Sequence, residues 1–133
     1  MSDEMREAGG AGGEIRVGGD GDELGTHRVV APVGALPQPA DRVDNDFSRL
    51  FATEILVDVD ILNVDAASFR QMEEAGGGPE GVPAIVRATV AKRGKQHNPV
   101  TGSGGMLLGR VAWLGEKARG RGVVPGDRVA TLA

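Results

Sequence analysis

Apolar and polar positions alternate most sharply in "EILVDVDIL", residues 54–62. There Ile55, Val57, Val59 and Ile61 fall on one side of an extended chain, and Asp58 and Asp60 punctuate the other. A period of two over that length predicts a β-strand with one face toward a core and a solvated acidic face opposite. A second strand is predicted over residues 106–113, with Leu108 and Arg110 on one face and Leu107, Gly109 and Val111 on the other. Shorter strands are expected at residues 26–30 and 128–132, the last fed by Pro125 and Gly126, which suit the central positions of a type II turn. Between the long strands the period changes. In "DAASFRQMEEAGGG" Ser68 and Gln71 have capping-box spacing and the glycines at 76–78 supply a stop, which predicts a short helix. Ile85, Ala88 and then Thr89 or Lys92 recur at helical spacing in residues 82–92, and Gly94 closes this second helix. Residues 31–46 are expected to run extended, because Pro32, Pro37 and Pro39 refuse helix. Short strands with glycine and proline turns, interrupted by two helices, predict a mainly β, α+β fold built as a small, partly open barrel. Its closing edge is expected to be incomplete, since the chain stops on the last strand.

Composition narrows this picture. At 133 residues there is enough chain for one domain, and 40% hydrophobic content can build its core from aliphatic side chains, aromatics being 3%. Residues 1–25, with "GGAGG" and "GGDGDE", cannot bury enough surface to offset chain entropy, so a disordered glycine- and acid-rich leader is expected before a domain at 26–133. A net charge of -4 leaves no electrostatic footprint for nucleic acid, and no nucleic-acid partner is expected. The absence of cysteine removes disulfides and thiol zinc sites and fits a reducing compartment. No apolar run spans a membrane and no secretory signal opens the chain, so a soluble cytoplasmic protein with no membrane partner is the expectation.

Candidate chemistry concentrates in "GKQHNPVTGSGGMLLGRVAWLG", residues 94–115, where glycines, a histidine, an asparagine and hydroxyls precede an apolar run. A dinucleotide fingerprint fails there, because Gly102 and Gly104 fit but Leu107 stands where the third glycine belongs. A Walker loop fails too: Gly104 and Gly109 have the spacing, but Arg110 and Val111 replace the lysine and the hydroxyl. Both motifs also require a helix where this sequence predicts a strand. The stretch therefore reads as a substrate and active-site loop whose glycines permit close approach.

The segments "EILVDVDILNVDAASF", "GSGGMLLGRVAWLG" and "VVPGDRVATLA" resemble, in this order, the GroES-like N-terminal domain of medium-chain dehydrogenase-type enzymes. More narrowly, "LGTHRVV", "LPQPADRVDN", "EILVDVDILNVDAASFRQ" and "GKQHNPVTGSGGMLLGRV" resemble the L-erythro-3,5-diaminohexanoate dehydrogenases of lysine fermentation. The resemblance implies an incomplete GroES-like barrel and oxidative deamination of a diamino acid to 5-amino-3-oxohexanoate, with NAD or NADP held mainly by a downstream domain. It also implies a small-molecule diamino acid partner, a homo-oligomer at full length, and a truncated chain inactive by itself. Asp65 stands where zinc-dependent members place a cysteine, and Gly102, Ser103 and Gly104 replace their G-H-E, so no metal site is expected. A non-catalytic GroES-like binding module, or an inactive gene fragment, is the alternative.

Such a substrate carries two ammonium groups and a carboxylate, which need acceptors and donors respectively. His97 is the candidate general base on the reacting amine, because imidazole titrates near neutrality. Asp65 either accepts an ammonium as a second catalytic-pocket residue or begins the helix as a turn residue. Asn98, Thr101, Ser103, Gly104 and Gly105 are the candidate substrate-binding set, joined by Ser68, whose bland alternative is a helix cap. His27 is expected to be structural, and Asp58 and Asp60 to be solvated.

Overall fold

The computed structural model describes residues 6–7 and 14–132. Its backbone is organised by strand β6 (Ile55–Asn63), which pairs antiparallel with β7 (Met106–Leu114), and β7 in turn pairs antiparallel with β8 (Arg128–Leu132). Both long strands lie where period-two patterning put them. Their register slips twice, once between Leu56 and Val57 and once between Val59 and Ile61. A slip of one residue turns every following side chain to the other face. The shared core face expected of Ile55, Val57, Val59 and Ile61 is therefore corrected: Ile61 lies opposite Leu108 and Val59 opposite Gly109. Ile55, Val59 and Ile61 are exposed.

Two smaller sheets accompany this one. Strands β3 (Val29–Ala31) and β4 (Arg42–Val43) pair antiparallel, while β2 (Glu14–Val17) lies between β1 (Arg6–Glu7) and β5 (Arg49–Leu50). Among the described residues there are thus three separate small sheets with two helices, an α+β arrangement, and no closed barrel. Residues 31–46 are not extended throughout, because Pro32 and Pro37 each open a turn, with Ala35 N–H on Pro32 O at 3.1 Å and Ala40 N–H on Pro37 O at 3.3 Å. Each proline holds the first position of its turn and supplies the accepting carbonyl. Likewise the strand expected from residue 26 begins later, behind a tight 3-10 turn over Thr26–Arg28.

The N-terminal segment departs furthest from expectation. Residues 14–25 are not a disordered leader: Ile15 is 1% exposed and packs with Leu50 and Trp113, with Leu56 against them. One isoleucine between glycine runs is too little for a compositional argument to detect, yet it fills the gap beneath Trp113. The rest of the expected leader lies outside the described residues. A polar latch holds this end of the molecule. Arg28 donates to both Glu54 oxygens at 2.6 and 2.8 Å and to the Arg49 carbonyl at 2.6 Å. His27 Nδ1 accepts the Asp22 N–H at 2.9 Å, which leaves its Nε2–H to donate to Glu54 at 2.9 Å. Burial pushes the Glu54 carboxyl up, but the Arg28, Phe51 and His27 hydrogen bonds outweigh it and hold it below its ordinary value.

Helices α1 (Ala66–Gly76) and α2 (Val82–Arg93) connect β6 to the glycine loop. Both end as predicted, on Gly77 and Gly94. The N-terminus of α1 is capped by Asp65, which shifts the helix start three residues ahead of the Ser68 cap expected from spacing. Helix α1 buries Ser68 and Met72, one turn apart, and α2 buries Val82. A second apolar cluster, Val111, Leu114 and Ala118 with Val123 and Val129, packs under one face of the β7–β8 pair.

Candidate functional site

Residues 94–105 leave α2 and enter β7, and one side chain organises their centre. Asn98 is 2% exposed. Its Oδ1 accepts the N–H groups of Val100 at 2.8 Å and Thr101 at 3.1 Å, and its Nδ2 donates to Gln71 Oε1 at 2.9 Å. Its backbone closes the turn as well, with Asn98 N–H on Ser103 O at 2.9 Å and Gly102 N–H on Asn98 O at 2.7 Å. The loop is thus pinned to α1 from the inside. Burial of an asparagine is tolerated here because its donors and acceptors find partners.

A chain of hydroxyls makes the second tie. Ser68, fully buried, presents its N–H to Asp65 Oδ1 and its Oγ to Asp65 Oδ2, both at 2.8 Å. Since the Ser68 proton goes to Asp65, the Thr101 hydroxyl, 2.5 Å away, donates to Ser68 Oγ. Ser103 Oγ accepts the Gly105 N–H at 3.2 Å. The Ser103 hydroxyl, then the Ser68 N–H and Oγ, hold the Asp65 carboxyl well below its ordinary range, at about 2. Asp65 consequently stays charged across the physiological range. Of its two expected roles the structure displays the helix-starting one, and both oxygens are engaged by the protein itself. Ser68 is a helix residue in the first turn rather than the cap.

Gly105 has φ 84°, and a Cβ there would run into the carbonyl of Asn63 at the end of β6. The close approach that glycine permits at this point is to the protein's own backbone. Gly104, beside it, is buried.

His97 stands outside this network. It is half-buried and makes no hydrogen bond among the described residues. Burial pushes its pKa below the ordinary value, the positive charges of Lys95 and Arg93 push it further down, and Asp41 opposes them. The imidazole is therefore neutral at neutral pH with a nitrogen lone pair to offer. Lys95 anchors its approach by donating to the carbonyls of Pro37 at 2.7 Å and Gln38 at 2.6 Å. The structure brings Asp65, Ser68, Asn98, Thr101, Ser103 and Gly105 together, while the charged neighbours of His97 are Lys95, Arg93 and Asp41.

Three contributors escaped the sequence. Gln71 was noticed only for its helical spacing, yet it joins the loop through Asn98. Asp41, from the proline-rich segment, bears on His97 across a distance that no local pattern encodes. Gln96 is 4% exposed, with Nε2 3.9 Å from Met72 Sδ and Oε1 unpartnered. Along α1, Ala66, Ala67, Arg70, Gln71 and Glu74 line a shallow groove of about 380 Å³ beside the pinned loop.

A dinucleotide does not fit this loop. Its glycines lead into strand β7, and the N-terminus of α1 is already occupied by the Asp65 carboxylate, which repels phosphate. What remains is a hydroxyl-bearing loop whose donors are largely engaged by the protein itself, with the neutral imidazole of His97 outside its network.

The chain belongs to a family of dehydrogenase N-terminal domains, for residues 27–133 match the model of the L-erythro-3,5-diaminohexanoate dehydrogenase N-terminal domain. Among its relatives is the L-erythro-3,5-diaminohexanoate dehydrogenase of Fusobacterium nucleatum, 52% identical over 114 residues, which cover 84% of this chain and 33% of the relative. The enzyme of the same name from Acetoanaerobium sticklandii is 50% identical over 114 residues, with the same coverage of 84% and 33%. The chain thus spans about a third of the length of these curated relatives. No helix among the described residues is long and apolar enough to cross a membrane.

Proposed function

We propose that this chain is the substrate-side part of an NAD(P)-dependent dehydrogenase that oxidatively deaminates L-erythro-3,5-diaminohexanoate to 5-amino-3-oxohexanoate and ammonia, a step of lysine fermentation in the cytoplasm. One observation carries the proposal: the family match runs through the whole loop network, from His27 to the last strand. The domain is read as GroES-like, with its remaining strands and its nucleotide-binding partner supplied by the rest of a longer, homo-oligomeric protein. A nicotinamide bound there would supply the hydride acceptor.

Within this chain the work is to bind, orient and deprotonate. An amine cannot release hydride from its carbon while the nitrogen is protonated, so a base must first take that proton. His97, neutral and with no competing hydrogen bond among the described residues, takes it from the 3-ammonium. Asp65 keeps its charge and fixes Ser68 and Ser103, so that the loop offers one arrangement rather than many. The Gly104 N–H is then the donor offered to the substrate carboxylate, while the Thr101, Ser103 and Gly105 donors are spent within the loop and, with Asn98 and Ser68, hold it in register.

Kinetics of His97→Ala in a full-length protein test this. Loss of about 10² to 10⁴ in rate is expected for a general base. A folded His97→Ala enzyme with unchanged kcat/KM would remove that residue from the mechanism. A full-length wild-type enzyme that does not oxidise 3,5-diaminohexanoate would remove the substrate assignment itself.

A further inference from the structure

Among the described residues, none covers one face of the β6-β7-β8 sheet. Register sets nine residues on it in three cross-strand rows: Asn63, Met106 and Leu132, then Ile61, Leu108 and Ala130, then Asp58, Arg110 and Arg128. All nine are exposed. The apolar members are far from covered, with Leu108 at 37%, Met106 at 43%, Ile61 at 56% and Leu132 at 69%. The opposite face is packed around Val111 and Val129, which lie in the cluster with Leu114, Ala118 and Val123, while Val59 and Thr131 at its other positions are exposed.

An antiparallel sheet that turns one face to water carries polar side chains there. Here two adjacent rows are apolar apart from Asn63, and charge is confined to the third. That is the composition of an interface core with a charged rim. The far edge of β8 adds to it, because among the described residues no strand pairs with that edge.

We propose that this face is the seam on which the remaining two thirds of a full-length dehydrogenase polypeptide pack. The occupant follows from length: the chain corresponds to 33% of its Fusobacterium nucleatum relative, so a body about twice its own size is tethered to this domain there. A tethered body reaches the face at an effective concentration no free partner matches. The seam rests on family membership and on the reading of the chain as part of a longer protein, and it does not depend on the roles given to His97 or Asp65.

The test is a chimera in which this 133-residue chain replaces the corresponding first third of the Fusobacterium nucleatum enzyme. Threonine is as well suited as isoleucine or leucine to an exposed strand position, but not to a buried apolar one. Ile61→Thr with Leu108→Thr is expected to lower the Tm of the chimera by about 3 °C or more, and Val30→Thr, at an exposed position of β3, by about 1 °C or less. Leu108→Val alone provides a milder variant if the double one does not fold, with a smaller loss in the same direction. A double variant indistinguishable from Val30→Thr would overturn the seam. So would a folded double variant of unchanged Tm that sediments as a smaller species, since the face would then join two copies, and so would an unsubstituted chimera without cooperative unfolding. Activity is a separate readout: a chimera that folds, shows the Tm difference and does not oxidise 3,5-diaminohexanoate leaves the seam standing and sinks the catalytic proposal.

Discussion

Asn98→Ala removes the pin of the candidate loop while leaving the backbone sequence around it intact. The side chain makes three hydrogen bonds of good length, two accepted from Val100 and Thr101 and one donated to Gln71 Oε1. Each is worth about 0.5 to 1.5 kcal/mol net, which sums to roughly 1.5 to 4.5 kcal/mol. The lower half of that range is the better expectation, because Val100 and Thr101 are exposed and water can reach their freed N–H groups. A loss of about 2 kcal/mol lowers the urea midpoint by about 1 M at an m-value of about 2 kcal/mol/M. Urea unfolding of Asn98→Ala beside wild type measures it, provided m is unchanged. Asn98→Asp gives a second handle: it keeps the acceptor for Val100 and Thr101, loses the donor to Gln71, and places a charge at a 2% exposed position, so it should destabilise and recover as pH falls below the carboxylate range. In the full-length enzyme kcat/KM should fall with Asn98→Ala even where the protein is fully folded, since Thr101 and Ser103 lose their fixed positions. A midpoint shift below about 0.2 M would refute the claim that this residue holds the loop, because that corresponds to less than one ordinary hydrogen bond.

Ile15→Ala should cost about 2 to 4 kcal/mol by opening a cavity under Trp113, seen as a lower denaturation midpoint; a neutral result would return residues 14–17 to a dispensable leader. Gly105→Ala forces a side chain into left-handed backbone against the Asn63 carbonyl and should destabilise by about 1 to 3 kcal/mol, measured by thermal unfolding. Glu54→Ala strands Arg28 in a half-buried site and should cost about 2 kcal/mol, less than a fully buried pair because water screens it. The His97 pKa is lowered in the fold, so the unfolded chain binds the extra proton: stability on this account is fully present above about pH 6.5 and declines as pH falls toward the folded pKa, and His97→Ala should flatten that part of the profile. Asp65, lowered to about 2, contributes stability that is present above pH 3.8 and lost as pH falls through about 2, a decline that Asp65→Asn should remove from acid titrations.

Sequence alone placed what nearest neighbours decide. The strands now at Ile55–Asn63, Met106–Leu114 and Arg128–Leu132, and the two helices with their glycine ends, were legible because period, capping and φ preference act within a few residues. The loop at 94–105 was legible as a glycine-rich polar connection for the same reason, its residue types being adjacent in the chain. Tertiary structure decided the rest. It moved Ile61 to the far face of its strand, because a register slip depends on how β7 fits against β6 and leaves no mark in alternation. It buried Ile15 beneath Trp113 nearly a hundred positions away, and made Asn98 a buried pin because α1 happens to offer Gln71. It also gave Asp65 to Ser68 and Ser103 and set His97 among Lys95, Arg93 and Asp41, pairings in which the energy comes from partners that only folding brings within reach.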